Sequence, residues 1–186
     1  MFSNYEIEKY KESGIFTIAV AEVENLFLVE EIIKLLATHM GQDEQAAKTT
    51  FEKVKKYVIQ DRFATQIEKQ ICQSVVANLK YQLGSAELSK KNDAEAKESL
   101  EKIIASLDFE RTKAEQTVKF KSALDSESYF SVLQVFNEKN LAKTIGNYFG
   151  LRNDAYCDTI LALMKGQMYD DIVTALSPYL PPEIPR

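Results

Sequence analysis

Histidine occurs once in this chain and cysteine twice, and that scarcity removes most metal and nucleophile chemistry at the outset. His39 stands near the end of a helix-like stretch with no second metal-type spacing beside it. It reads as a partner of the helix dipole or a packing residue rather than a ligand. Cys72 and Cys157 are far apart, have no CxxC spacing and sit among apolar neighbours, so buried, reduced thiols in a reducing cytosol are expected. No GxxxxGK[ST], GxGxxG, HExxH or GxSxG motif is present. Neither a nucleotide-binding loop nor a serine, cysteine or zinc mechanism therefore has local support. No apolar run approaches the ~20 residues that span a bilayer, and the opening MFSNYEIEKYKES lacks the basic-then-apolar layout of a signal peptide. A soluble, cytoplasmic protein with no membrane partner is expected.

What is present is an ordinary globular composition: 186 residues, 45% hydrophobic and 27% charged, enough for one substantial domain. The net charge of −5 is uneven. Residues 1–47 hold nine acids against three bases, residues 48–121 eleven against fifteen, and residues 122–186 eight against five. An acidic total argues against a broad nucleic-acid-gripping face on this chain, although the middle block could present a weak basic stripe.

Carboxylate chemistry is the class left open, and it points to Gly14–Leu28, GIFTIAVAEVENLFL. Ile15, Phe16, Ile18 and Val20 are β-branched or aromatic in a run too short for an ordinary helix, which predicts a buried strand. Its end delivers Glu22, Glu24 and Asn25, where open α/β sheets place ligands and where hard divalent cations find oxygen donors, although on these residues alone a loop of solvated acids is the preferred reading. A short amphipathic helix over residues 5–13 precedes it. One strand cannot satisfy its own edges, so the chain is expected either to be mostly α with a β remnant at this end or to lack the strand's neighbours.

The rest is helical punctuation. Residues 28–40 form one helix, with Gly41 as its stop. Between Asp43 and Leu83 there is no proline or glycine, while Phe51, Val54, Val58, Phe63, Ile67, Ile71, Val75 and Leu79 recur along the sequence, predicting one long helix, or two in line, capped by Asp43. A polar turn, GSAELSKKND over residues 84–93, leads to a second long helix capped by Asp93, with Leu100, Ile103, Ile104 and Leu107 as its stripe. Lys90 and Lys91 at the tip read as a solvated turn. Shorter helices follow over 126–136, 141–149, 153–165 and 170–176, with the polar linker NEKN at 137–140 and a proline-rich tail. The expected fold is mainly α: a multi-helix domain with a long antiparallel helical hairpin and a short β remnant near the N-terminus. Its expected parts are the end of an α/β module (1–42), the hairpin (43–123) and a C-terminal helical subdomain (124–186), forming one unit.

The run GIFTIAVAEVENLFLVEEII, with its E-x-E-N-hydrophobic ending, resembles a segment of bacterial proteins that join an ABC-type ATPase to a TOPRIM-like nuclease module. That group is similar to the overcoming-lysogenisation-defect nucleases of phage defence. VLQVFNEKNLAKTIGNYFGLRNDAYCDTILALM, followed by LSPYLP, resembles the helical C-terminal end of the same proteins. The resemblance implies a C-terminal fragment of an ATPase-linked nuclease, inactive alone, whose Walker motifs and Asp-x-Asp pair precede Met1. It implies Glu24, with Glu22 beside it, as catalytic acids, Glu24 as a ligand of Mg²⁺ or Mn²⁺ in the full-length protein, and Asn25 and Lys139 as substrate contacts. NEKN departs from the glycine expected after that lysine. The implied partners are the rest of the same polypeptide, DNA through the full-length protein, and a second copy as homo-oligomer. The alternative is a non-catalytic helical interaction or dimerisation module built on residues 43–123.

Overall fold

A computed structural model describes residues 17–84, 92–153 and 155–181, together with 12, 13 and 15. Among these residues the chain is all-helical. We label the helices α1 (Glu30–His39), α2 (residues 44–84), α3 (Asp93–Ser106), α4 (Phe109–Asp125), α5 (Tyr129–Leu133), α6 (Leu141–Gly146), α7 (Ala155–Met164) and α8 (Tyr169–Leu176). The helix expected over 5–13 falls almost wholly on residues 1–11, outside the described residues, as do Lys90 and Lys91.

The long helix is 41 residues from end to end. Asp43 caps it as expected, its carboxylate accepting from the Ala46 N–H at 2.8 Å. Its middle is not α-helical: Glu44–Lys56 and Ala64–Gly84 flank a π-helical stretch, Tyr57–Phe63. The apolar spacing carries the mark of it. Val58 and Phe63, both 0% exposed, stand five residues apart, the separation that i→i+5 bonding brings onto one face. Phe63 then reaches Phe120 (centroids 6.1 Å apart) and Phe136 (5.3 Å).

The second arm of the hairpin is broken rather than continuous. Leu107 turns extended (φ −70°, ψ 115°) and Asp108 restarts the helix by accepting from the Arg111 N–H at 2.8 Å. The cap of α3 is Asn92, not Asp93: its side chain accepts from the Glu95 N–H at 3.0 Å. Helices α2 and α4 run antiparallel, Phe63 lying beside Phe120 and Ser74 Oγ donating to Gln116 Oε1 at 2.8 Å. Helix α3 buries no residue; Leu100 and Ile104 are exposed there, as are Leu83 and Phe109 at the flanking helix ends.

No strand is found among the described residues, which corrects the expected β remnant. Ile15 is exposed, and the backbone from residue 19 to 22 forms bends. With no second strand to pair with, the segment takes its bonds from helices: the Ala21 N–H donates to the Leu133 carbonyl at 3.0 Å. Val23–Leu28 is then a 3-10 helix, not the loop after a strand.

One hydrophobic cluster runs from Val20 to Leu176 and draws on residues before 43, between 43 and 123, and after 124. Close packing is visible at Gly146, where an added Cβ would meet the Leu151 carbonyl oxygen at 3.1 Å and Tyr156 Cβ at 3.2 Å. Gly41 (φ 86°) ends α1, as expected of a stop residue. Cys157 is half-buried against the core, but Cys72 is exposed, a correction: its neighbour Ile71 takes the inward position on α2. No helix among the described residues is long and apolar enough to cross a membrane.

Tyr129 is an anomaly of the core. It is buried edge-on against Phe51 (5.2 Å, 90°), and its hydroxyl has no hydrogen-bond partner among the described residues. Burial, helped by Glu30, pushes that hydroxyl well above the ordinary tyrosine range. A buried hydroxyl without a partner costs about 1–3 kcal/mol of desolvation. Tyr129→Phe is therefore expected to leave stability unchanged or raise it by about 1 kcal/mol in urea unfolding. A loss larger than that would mean the hydroxyl is bonded.

Candidate functional site

The acidic segment and the NEKN turn, at opposite ends of the sequence, meet across the hairpin. Asn25 is 1% exposed and fixes the 3-10 helix to the body by donating both amide hydrogens, to the Leu133 and Phe136 carbonyls, each at 3.0 Å. Tyr156 Oη adds a bond to the Phe27 carbonyl at 2.8 Å. These bonds place residues 20–28 beside the end of α5, from which residues 137–140 emerge.

That turn is held by a polar ladder on α2. Gln70 makes a two-way clamp on the Asn137 backbone: Nε2 donates to the carbonyl at 2.9 Å, and Oε1 accepts from the N–H at 3.2 Å. Gln66 Nε2 donates to Glu138 Oε2 at 3.1 Å. Arg62 closes a two-toothed ion pair on Glu138, Nε and Nη2 donating to its two oxygens. The hydrogen bond to Glu138 raises the Arg62 guanidinium further above its ordinary value, against the opposing pull of burial. Residues 62, 66 and 70 share one helical face by their i, i+4, i+8 spacing.

Between these parts lies a cavity of about 1140 Å³. Its walls are Ile15 and residues between Thr17 and Val23, the 66–77 stretch of α2, the α4 residues Gln116, Lys119 and Phe120, and Val135 with residues 137–140. Ile18, Val20, Phe120 and Val135 supply apolar surface. Lys69, Lys119 and Lys139 enter from α2, α4 and the turn respectively. Burial lowers the pKa of the Lys119 ammonium, which therefore sits in a partly dehydrated position. Glu22 lines the cavity too, while Glu138 is engaged by Arg62.

The residues singled out in the sequence thus separate. Glu22 and Lys139 share the cavity. Glu24 is exposed in the first turn of the 3-10 helix and is not among the residues lining the cavity. Asn25 is a core anchor whose amide hydrogens are both occupied by backbone carbonyls. His39 is exposed at the end of α1. No group of three or more His, Cys, Asp or Glu side chains that could hold a metal ion occurs among the described residues. Lys69, Lys119 and the ladder were not singled out from the sequence. Their signal was polar residues recurring at 62, 66, 69, 70 and 73 along a helix whose apolar stripe was read alone. Comparison with protein-family models, with curated proteins and with solved structures finds no match to this chain.

Proposed function

We propose that the chain is the helical end of an ATPase-linked, TOPRIM-like nuclease, acting as a scaffold that presents Glu22 and Lys139 together to the catalytic part of the same polypeptide. The observation that carries this reading is the cavity shared by Glu22 and Lys139, residues from the two sequence patches on which the resemblance rests. The scaffold half of the reading has the stronger support. Residues 20–28 and the 137–140 turn are both tied to the helical body by buried or part-buried hydrogen bonds, whereas a metal ion at Glu24 would need ligands from outside the described residues.

The test is DNA cleavage by the complete gene product as its cell makes it, with Mg²⁺ or Mn²⁺ supplied. Glu22→Gln and Glu24→Gln are each expected to reduce cleavage at least about a hundredfold, with thermal unfolding unchanged because neither carboxylate makes a hydrogen bond among the described residues. Undiminished cleavage in both variants, or no cleavage by the parent protein, would overturn the nuclease reading. The remaining account would then be the helical interaction module. The observation favouring it is the exposed apolar set at the outer end of the hairpin, Val76, Tyr81, Leu83, Leu100, Ile104 and Phe109.

A further inference from the structure

Helix α3 has 14 residues and buries none of them. Isolated helices shorter than about 12–15 residues are marginal in water, so most helical stability in proteins comes from covering an apolar face. Two same-helix ion pairs give α3 some support, Lys97 with Glu101 at 3.8 Å and Lys102 with Glu98 at 2.6 Å. Exposed pairs of this kind add little. The uncovered face has a definite order. Ala94, Lys97, Glu101 and Ile104 follow one another at spacings of three, four and three, which sets them in one row along the helix, and Leu100 stands beside the middle of that row. All five are exposed, Leu100 at 38% and Ile104 at 54%. Reversing the row puts Ile104 where Ala94 stands and Glu101 where Lys97 stands. The face is therefore complementary to itself run backwards: a large side chain opposite a small one, a carboxylate opposite an ammonium.

We propose that α3 pairs antiparallel with α3 of a second copy of this chain, about a two-fold axis close to Leu100. The two Leu100 side chains meet beside the axis, Ile104 of each copy covers Ala94 of the other, and Lys97 of each faces Glu101 of the other. Such an interface is isologous, the same patch serving both partners. The inference rests on the interaction-module account and gives that module its partner. A partner chosen by a field of one sign is disfavoured, because the lysines and glutamates of α3 already neutralise one another along the helix. Size sets the strength. Fourteen residues span about 21 Å, so this pair buries less than the about 1,200–2,000 Å² of a standard interface even with Leu83 and Phe109 exposed at the flanking helix ends. The dimer is accordingly a weak one, with a dissociation constant on the order of 10 µM.

Sedimentation velocity of the whole chain from about 1 to about 300 µM, a range that brackets that constant, tests it. The expected result is monomer at the dilute end and dimer at the concentrated end. Leu100→Glu and Ile104→Glu should each keep the chain monomeric throughout, with circular dichroism unchanged because both positions are exposed. The charged row gives the sharper test. Lys97→Glu and Glu101→Lys should each weaken self-association about tenfold, since like charges then face each other across the axis. An equimolar mixture of those two variants should associate about as tightly as the parent, one chain presenting two acids and the other two bases. Both variants lose the same-helix pair, so an effect confined to the stability of α3 would not be restored by mixing. A parent that stays monomeric, a dimer indifferent to both glutamate substitutions on the apolar residues, or a mixture no tighter than its components would overturn the proposal. A monomeric parent leaves the cleavage test untouched and an inactive parent leaves the sedimentation result untouched, so the two readings fail separately.

Discussion

Replacing Asn25 with aspartate is expected to lower the unfolding free energy by about 3–5 kcal/mol at neutral pH, the range for an uncompensated buried charge. The change is nearly isosteric, so packing is preserved and the chemistry is isolated. In the native chain the side-chain amide donates to two carbonyl oxygens, those of Leu133 and Phe136. A carboxylate there has nothing to donate, faces two acceptors at 3.0 Å, and lies at a position 1% exposed. Burial and the facing oxygens raise the carboxyl's pKa in the fold above its ordinary value of about 3.9. The folded state of the variant then binds more protons than the unfolded state, so its deficit grows as pH rises above about 4 and shrinks below it. Urea unfolding followed by circular dichroism, with parent and variant compared at neutral and at acid pH, reads both the size and the sign. A deficit under about 1 kcal/mol, or one that widens on acidification, would show that Asn25 is not what anchors residues 20–28.

Phe63→Ala is the other large effect, expected at about 3–5 kcal/mol as for other fully buried phenylalanines. Phe63 is 0% exposed and joins three parts of the fold: α2 that carries it, α4 through Phe120, and the end of the α5 segment through Phe136. Truncation removes the ring from between Phe120 and Phe136, and the loss grows with the space those rings leave unfilled. The comparison variant is Val118→Ala, at 67% exposure on α4, where the change should stay within about 0.5 kcal/mol. If both variants lost the same amount, the aromatic junction would not be the joint between the hairpin and the C-terminal helices.

How far the sequence led can be judged residue by residue. Asp43 and Gly41 did what capping chemistry says they should, because a cap is a local arrangement that needs no tertiary knowledge. The long helix was legible for the same reason, the stretch from Asp43 to Leu83 having no proline or glycine. The supposed strand at 15–20 failed because strand propensity describes a surface that fits a sheet, and no sheet is found among the described residues to receive it. The break at Leu107 was hidden because Asp108 read equally well as a surface acid and as a new cap. Glu22 and Lys139 were reached through two separate patches of sequence, but nothing local said that they line one cavity. That required the Gln66 and Gln70 contacts to a turn about seventy residues away, a pairing that is tertiary by nature.

The π-helical stretch at Tyr57–Phe63 has the geometry of a helix that has accommodated one additional residue. Deleting a single residue there would let the helix close into a continuous α form, but everything beyond it would rotate by about 100° relative to what precedes it. Gln66 and Gln70 would swing away from Glu138 and Asn137, and Lys69 would leave the cavity, although no side chain lining it had been changed. The site is therefore a matter of phase as much as of composition. Chains of this kind that differ in length by one residue between 57 and 63 should differ in whether they possess the cavity at all.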